Sequence, residues 1–267
     1  MKHLPNLLTL GNLFCGCIAI AYIMTALPYY TFKVNQFGPP TYEWVYGVQQ
    51  MYLGSIFIGI AAVCDLLDGF AARALNVFSP IGKDLDSLAD IVSFGVAPSM
   101  IVFQLLWDAN MGEKNVFDVS MLSMAPAFLI ACFAALRLAK YNIDPGNQKS
   151  SFTGMPSPAA GMFIATLPIL IWYNPFHLGE LIKNKWVIYG VIALVCWLMV
   201  SEIRFFKLLP QKWNLAELWP RIVLVVVFGG GFFVLGWPIL TFIFLVYILL
   251  SLVYKSPETI TGDHLKN

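Results

Sequence analysis

Residues 53–73 read LGSIFIGIAAVCDLLDGFAAR, an apolar run that ends in two acids and an arginine. The run belongs to a charge-free window that begins after Glu43 and ends at Asp65. A transmembrane helix needs about 20 mainly apolar residues, so the window predicts a membrane span. An Asp near the centre of a span costs roughly 2.5–3.5 kcal/mol, and ionisable residues in spans are usually functional. The stretch therefore predicts both a membrane fold and a site at one end of a helix.

The composition of the whole chain agrees with a membrane protein. Of 267 residues, 59% are hydrophobic and only 12% are charged, and the mean hydropathy is +0.74. A soluble domain carries about 25% charged residues, so these values exclude an ordinary soluble enzyme and a disordered chain. The net charge of +1 offers no electrostatic basis for binding nucleic acid.

Seven charge-free windows mark the candidate spans. The first six predict one helix each, whereas the seventh is longer than one helix requires and contains the turn sequence Gly236-Trp237-Pro238. We predict an all-α polytopic membrane protein with eight spans, or seven if the last window forms one tilted helix. The windows lie between Lys2 and Lys33, Glu43 and Asp65, Asp90 and Asp108, Asp118 and Arg137, Lys149 and Glu180, Lys185 and Glu202, and Arg221 and Lys255.

The basic residues predict the orientation of these spans. With the amino terminus inside and eight alternating spans, twelve of the 16 Lys and Arg residues lie inside and four outside. By the positive-inside rule, both termini are then cytoplasmic. We expect residues 1–205 to form a six-helix membrane domain. Residues 206–267 would contain an interfacial segment, a two-helix extension and a short polar tail. The segment Glu202–Leu218 is interpreted as an interfacial helix or a plain loop.

Four acids are expected to converge near the cytoplasmic ends of two helices. Asp65 and Asp68 are spaced i, i+3, and Asp86 and Asp90 are spaced i, i+4, so each pair shares a helix face. The connection through Asn76–Gly82 is short, so the two helices run antiparallel and their acidic faces can meet. Converging carboxylates form a hard oxygen site that suits Mg²⁺ or Mn²⁺, and two ions could share it.

Each of these residues also has a structural interpretation. Asp65 or Asp68 could form an ion pair with Arg73, and an acid at Asp84 favours the start of a helix and receives no role. Gly69 and Ala72 could be helix-packing positions. Alternatively, they leave room for a ligand close to the backbone. Gly82 could simply start the second helix.

The acidic stretch resembles the signature of the CDP-alcohol phosphotransferase family, D-x2-D-G-x2-A-R-x8-G-x3-D-x3-D. All eight fixed positions are present, as Asp65, Asp68, Gly69, Ala72, Arg73, Gly82, Asp86 and Asp90. The six-helix core of that family is similar to the region from Leu4 to about Glu202. Within the family, the chain looks most like the subfamily of membrane-embedded phosphatidylserine synthases. The stretches that carry this finer resemblance are PNLLTLGN at 5–12, DIVSFGVAPS at 90–99, RLAKYN at 137–142 and FTGMPSP at 152–158.

The resemblance implies a reaction and a set of roles. The phosphatidyl group of CDP-diacylglycerol would pass to the hydroxyl of L-serine, giving phosphatidylserine and CMP. Asp65, Asp68 and Asp86 would hold two divalent ions, with Asp65 and Asp86 bridging them. Asp90 would contact the second ion and act as the general base. The residues implied for nucleotide and diphosphate are Gly69, Ala72, Arg73, Gly82, Asn6 and Thr9.

The resemblance also implies residues that bind the acceptor. Arg137 and Lys140 would bind the serine carboxylate, and Ser93 and the Thr153-Gly154 loop would line the pocket. Lys140 could instead be a cytoplasmic anchor. Asn6 could cap the first helix, and Thr9 could bond its own backbone. The family also implies a homodimer, and we expect a bacterial plasma membrane with the site facing the cytoplasm.

Two rival functions are compatible with an acidic cluster in a membrane protein. The first is the same enzyme class with another acceptor, such as glycerol phosphate or inositol phosphate. The second is a cation transporter, which predicts acids near the middle of the membrane on broken helices. Metal-dependent release of CMP distinguishes the enzymes from a transporter.

Overall fold

The computed structural model describes residues 3–26, 29–33, 41–45, 47–75, 80–111, 120–143, 151–206 and 215–254. Helices dominate these residues, and the strands form only two short ribbons. The prediction of an all-α polytopic membrane protein is confirmed. Within the described residues, five helices are long and apolar enough to cross a membrane, or six with one bent pair, and two apolar helices are shorter. The count of eight spans stays a prediction.

The first three helices carry the acidic stretch. Helix α1 spans Leu4–Met24, with Pro5 in its first turn, where a missing N–H costs nothing. Helix α2 spans Val48–Ala74 and therefore continues past the acids. Helix α3 comprises α-helical Pro80–Asp90, a π-helical turn at Ile91–Val96 and α-helical Ala97–Met111, which form one span.

The middle of the chain contains two further long helices. Helix α4 begins at Met121–Met124, tightens into a 3-10 turn at Ala125–Phe128 and continues through Leu129–Ile143. Helix α5 runs through Ser157–Ala165 and Leu167–Tyr173. It ends at Asn174, which has a positive φ of 43°, and the chain then bends by 116°. A 3-10 turn at Pro175–His177 and the short helix α6, Leu178–Ile182, follow the bend.

The last three helices follow the predicted windows. Helix α7 spans Lys185–Val200, and the side chain of Asn184 caps it by accepting a hydrogen bond from the Trp186 amide at 2.9 Å. Helices α8 and α9 span Leu215–Leu235 and Ile239–Val253. The break between them falls at the predicted turn, where Gly236 adopts a φ of +65°.

Two antiparallel ribbons lie in connections between helices. Strands β1, Tyr29–Lys33, and β2, Thr41–Val45, pair between α1 and α2. Strand β3, Ser151–Thr153, pairs with β4, Arg204–Phe206, so that Ser151 faces Phe206 and Thr153 faces Arg204. The β4 strand differs from the predicted helix or loop over Glu202–Leu218. Residues 207–214 of that segment lie outside the described residues.

Small residues bring the helices of the core close together. A Cβ placed on Gly16 of α1 would collide with Ser93 of α3. A Cβ on Gly161 of α5 would lie 2.7 Å from the carbonyl oxygen and 2.8 Å from the Cα of Phe94. Close backbone approach at small residues is a common way for membrane helices to associate. Helices α1 and α5 are thereby fixed against the same part of α3, one turn beyond Asp90.

Candidate active site

Three carboxylates converge between α2 and α3, as the spacing predicts. One oxygen each from Asp65, Asp68 and Asp86 lies within 4.8 Å of the other two. Asp68 is buried, and Asp65 and Asp86 are half-buried. Anions so close together repel one another, and a cation bound among them would relieve this repulsion. The predicted meeting of the two acidic faces is therefore observed for three of the four acids.

The donor set fits a divalent cation. The Oδ1 atom of Asp86 is buried and accepts no hydrogen bond from any residue that the structure describes. A buried oxygen without a donor carries a desolvation cost, which a cation removes. All three side chains offer hard oxygen ligands of the kind that Mg²⁺ and Mn²⁺ prefer. Asp65, Asp68 and Asp86 would hold such an ion.

Asp90 lies outside this group of three. It sits one turn beyond Asp86 on α3 and is only 7% exposed. Its Oδ1 accepts a hydrogen bond of 3.2 Å from the side-chain amide of Asn12, on α1. The hydrogen bond from this neutral amide orients the Asp90 carboxylate. A contact between Asp90 and a metal ion stays a prediction.

Helix α1 supplies a second hydrogen bond to the acids. The Thr9 hydroxyl lies 2.7 Å from Asp68 Oδ2 and 3.0 Å from the Pro5 carbonyl oxygen. The hydroxyl has one proton, and a carboxylate is the stronger acceptor, so Thr9 helps to orient Asp68. Asn6 is half-buried in the first turn of α1. The alternative that Asn6 caps this helix is wrong, because the helix begins at Leu4 and His3 is at the cap position.

The residues implied for the nucleotide differ in exposure, and Gly69 faces open space. A Cβ on Gly69 would meet only the Arg73 Nη2 atom, at 4.0 Å, so Gly69 is not a tight packing position. Ala72 is half-buried and Arg73 is exposed at the end of α2. Gly82, which the sequence placed in a turn, lies in the first turn of α3 because that helix already begins at Pro80.

The residues implied for the acceptor occupy different environments. Arg137 is 8% exposed, its Nη1 donates to the Ser157 hydroxyl at 3.3 Å, and its guanidinium is within electrostatic range of Asp90. Lys140 is exposed, one turn further along α4. Ser93 is completely buried, and its hydroxyl donates to the Asn12 carbonyl at 3.1 Å. In this structure Ser93 links α3 to α1 instead of facing a pocket.

The Thr153-Gly154 loop is held by the backbone of the segment after α7. Gly154 has a φ of +76°, and its amide donates to the Ile203 carbonyl at 2.8 Å. A Cβ on Gly154 would also collide with the Met199 carbonyl. Glycine is required here both for the backbone conformation and for space. Thr153 is exposed beside this turn.

Two residues of the site had no predicted role: Asn12 and Ser157. Asn12 was part of the resemblance, and a signal for it existed, because Asn6, Thr9 and Asn12 recur every three residues on an otherwise apolar helix. Ser157 follows the Gly154 turn at the start of α5, and no spacing in the sequence relates it to Arg137.

Comparisons with known proteins agree with this geometry. A family model described as CDP-alcohol phosphatidyltransferase matches residues 2–205. The chain is 31% identical over 231 residues to a CDP-diacylglycerol–serine O-phosphatidyltransferase of Helicobacter pylori strain J99, covering 86% of this chain and 81% of the relative. It is 30% identical over 205 residues to the protein of the same name from Bacillus subtilis strain 168, covering 77% of this chain and 90% of the relative. A protein of the same name from Saccharomyces cerevisiae is 34% identical over 168 residues, covering 58% of this chain and 50% of the relative.

Proposed function

The chain belongs to the CDP-alcohol phosphatidyltransferase family, and from this premise we propose that it is a CDP-diacylglycerol–serine O-phosphatidyltransferase. It transfers the phosphatidyl group of CDP-diacylglycerol to the hydroxyl of L-serine and releases CMP. The observation that carries the proposal is the convergence of three signature carboxylates, from Asp65, Asp68 and Asp86, at the junction of α2 and α3. The names of the bacterial relatives support serine as the acceptor.

The proposed metal ligands are Asp65, Asp68 and Asp86, and two ions, Mg²⁺ or Mn²⁺, are expected. When bound, the ions neutralise the diphosphate and stabilise the charge on departing CMP. The buried, unpartnered Oδ1 of Asp86 supports this assignment. The open space over Gly69 supports a nucleotide that approaches the backbone of α2, with Ala72, Gly82, Asn6 and Thr9 nearby in the proposal. The exposed guanidinium of Arg73 would contact the diphosphate.

Asp90 is the proposed general base. An alcohol is a poor nucleophile at neutral pH, and a carboxylate in reach of the hydroxyl can accept its proton as the bond to phosphorus forms. The Asn12 amide engages Oδ1 of Asp90, which leaves Oδ2 for this proton. The serine oxygen bonds to the lipid-side phosphorus while the bond from that phosphorus to the CMP oxygen breaks. CMP departs with the electron pair, and the proton resides on Asp90.

Arg137 is the proposed partner of the serine carboxylate. A guanidinium presents parallel N–H groups that match a carboxylate. Its low exposure and its electrostatic contact with Asp90 would bring the acceptor next to the base. Lys140, which is exposed, would attract the acceptor to the mouth of the site. The buried Ser93 would act indirectly, by fixing the segment of α1 that contains Asn12.

The setting of the enzyme is also a proposal. We place the protein in a bacterial plasma membrane as a homodimer, with both termini and the acidic site on the cytoplasmic side. A donor with acyl chains can then reach the site from the bilayer, and serine can reach it from the cytoplasm. Residues 1–205 would form the catalytic domain, and the match of the family model to residues 2–205 supports this proposal.

The test is CMP release by the purified protein in detergent, with CDP-diacylglycerol and Mg²⁺ or Mn²⁺, with and without L-serine. We expect serine-dependent CMP that disappears with a chelator and falls about 10²- to 10⁴-fold in Asp90→Asn, the usual contribution of a general base. Asp84→Asn is the matched control, because Asp84 is an exposed acid on the same helix.

Each other outcome of this assay has a definite meaning. CMP release that ignores serine but follows glycerol phosphate or inositol phosphate would overturn the acceptor. The absence of CMP with every acceptor would contradict the proposal that the protein is an enzyme of this family. An equal loss of activity in Asp84→Asn and Asp90→Asn would overturn the assignment of the base.

A further inference from the structure

The last helix that the structure describes lies on the acceptor side of the proposed site and contributes Tyr247. This residue of α9 is 4% exposed, and its hydroxyl donates to the Phe206 carbonyl of β4 at 3.1 Å. Its ring packs against those of Phe205 and Phe206, with centroid separations of 5.7 and 5.0 Å. The phenol is also within electrostatic range of the Arg137 guanidinium. Tyr247 therefore joins a helix beyond residue 205 to strand β4, and it does so within electrostatic range of the proposed serine ligand.

Phe206 is one of the residues through which the C-terminal hairpin, α8 and α9, contacts the rest of the molecule. Tyr254, at the end of α9, packs edge-on against the Phe206 ring at 5.8 Å. From α8, the Arg221 guanidinium lies 6.0 Å from the centre of the same ring. Phe206 is 3% exposed, although it lies on a short strand in a connection. Three residues of the hairpin thus pack beside the Phe206 ring, so the hairpin helps to determine the position of β4.

Strand β4 in turn determines the position of the loop that leads to Ser157. It pairs with β3, and the Gly154 amide bonds to the Ile203 carbonyl just before β4. Next, the Met155 amide bonds to the Leu198 carbonyl of α7 at 2.8 Å. These contacts fix the start of α5, where Ser157 receives the hydrogen bond from Arg137. The hairpin thus reaches Arg137 through β4, β3 and Ser157, and Tyr247 lies within electrostatic range of the Arg137 guanidinium.

We propose that Tyr247 is a positioning residue for acceptor binding, and that the C-terminal hairpin serves to hold Arg137 and the β3–β4 ribbon in the arrangement that takes serine. The inference rests on the proposed function. Tyr247 touches no substrate in this proposal and acts through Arg137 and β4. A buried phenol requires a hydrogen-bond partner, so its bond to the Phe206 carbonyl fixes the separation of α9 from the ribbon. The donor lipid binds on the α2 and α3 side, so its binding does not depend on Tyr247.

The test compares Tyr247→Phe with Thr241→Val in full-length protein in detergent. Thr241 is the matched control, because it is a buried hydroxyl on the same helix that donates to the Thr166 carbonyl of α5, at 3.3 Å, away from β4. For Tyr247→Phe we expect the KM for serine to rise about three- to tenfold, the equivalent of one buried hydrogen bond. The KM for CDP-diacylglycerol stays unchanged. In Thr241→Val both KM values stay at the wild-type level, whatever happens to the unfolding temperature.

A second variant and a second measurement keep the test decisive if Tyr247→Phe folds poorly. Phe206→Leu retains the carbonyl but removes the ring that the hairpin covers, and it should raise the serine KM in the same way. The rise in unfolding temperature on adding serine, with metal present, should be smaller in Tyr247→Phe and Phe206→Leu than in the wild type and in Thr241→Val.

The outcomes separate this inference from the proposed function. Equal serine KM values in Tyr247→Phe, Thr241→Val and the wild type would overturn the inference and leave the enzyme intact. A parallel rise in both KM values of Tyr247→Phe would also overturn it, because that pattern indicates general distortion. If the wild type itself releases no serine-dependent CMP, the proposed function fails before any variant is compared.

Discussion

Two of the four signature acids are oriented by polar side chains of α1. Thr9 bonds Asp68 at 2.7 Å, and Asn12 bonds Asp90 at 3.2 Å. Buried carboxylates that repel one another adopt a defined geometry only if hydrogen bonds hold their oxygens. The polar residues of α1 therefore act together with the acids, although they lie far away in the sequence.

The hydrogen bond from Asn12 leads to a prediction about catalysis. Asn12→Leu keeps the approximate volume but frees the Asp90 carboxylate, so we expect kcat to fall about 10- to 100-fold with the unfolding temperature lowered modestly. Gln104→Leu is the matched control. Like Asn12, Gln104 has a buried side-chain amide that links α1 to α3. It lies on α3, donates to the Ile23 carbonyl of α1 at 3.2 Å, and is distant in sequence from the acids. Steady-state kinetics and thermal unfolding would measure both. Similar kcat losses in the two variants would show that Asn12 only contributes to helix packing.

The space over Gly69 leads to a prediction about the donor. Because an added Cβ would meet only Arg73 Nη2, at 4.0 Å, Gly69→Ala should fold at least as well as the wild type. Alanine is up to about 1 kcal/mol more favourable than glycine in a helix. We expect kcat/KM for CDP-diacylglycerol to fall at least about tenfold, since the methyl group would occupy the proposed nucleotide space. Unchanged kinetics in a well-folded variant would show that Gly69 has no role in binding the donor.

The π-helical turn of α3 follows directly after Asp90, the proposed general base. Residues Ile91–Val96 form this turn, and Ser93 and Gly95 lie within it. A π-helical turn widens the helix by one residue, and such turns are frequent at functional sites. Here it accompanies the close approach of α1 and α5 to α3, at Gly16 and Gly161. The position of Asp90 is thus defined by the packing of three helices around one irregular turn.

The contact between Gly161 and Phe94 gives a prediction about stability. In Gly161→Ala the new Cβ would lie 2.7 Å from one backbone atom of Phe94 and 2.8 Å from another, so α5 and α3 would have to separate. Overpacking of this kind costs about 1–3 kcal/mol, and we expect a clearly lower unfolding temperature in detergent. Gly59→Ala is the control, because a Cβ there would meet nothing within 4 Å. Equal unfolding temperatures for both variants would contradict the close packing of α5 on α3.

The surface of the described helices is rich in apolar side chains that suit contact with lipid. Many large apolar side chains are exposed, among them Phe14, Leu66, Phe70, Phe233 and Val234. In water such a surface would drive association, but in a bilayer it contacts acyl chains. The acids, by contrast, converge inside the helix bundle, which is where membrane proteins place functional charges.

The arrangement of eight spans predicts the locations of the two chain ends. With twelve of the 16 basic residues inside, reporters fused to the amino and carboxyl termini should both be cytoplasmic. The measurement is a pair of fusions to a reporter that is active on only one side of the membrane. A fusion to the Thr25–Tyr29 region, after α1, is the internal control and should report the opposite side. A carboxyl terminus on the outside would indicate seven spans and would contradict the hairpin as two crossings.

The sequence alone determined the features that depend on neighbouring residues. Apolar length defines a helix in a membrane through local hydropathy, so the described helices fall where the charge-free windows predicted them, and the turn at Gly236 was found. The i, i+3 and i, i+4 spacings similarly predicted that the four acids would meet, because a short connection joins their helices, and Asp65, Asp68 and Asp86 do so. The resemblance to the family signature then implied metal binding and phosphatidyl transfer at these positions.

Only the tertiary structure decided which distant side chains complete the site. Asn12 and Asp90 are 78 residues apart, and nothing in local periodicity pairs them. The complete burial of Ser93, the bond from Arg137 to Ser157 and the contact of Tyr247 with β4 likewise depend on how whole helices pack. The physical reason is that helix formation is decided by local hydrogen bonds and hydropathy, whereas the partner of a buried polar group depends on which helix face lies opposite it.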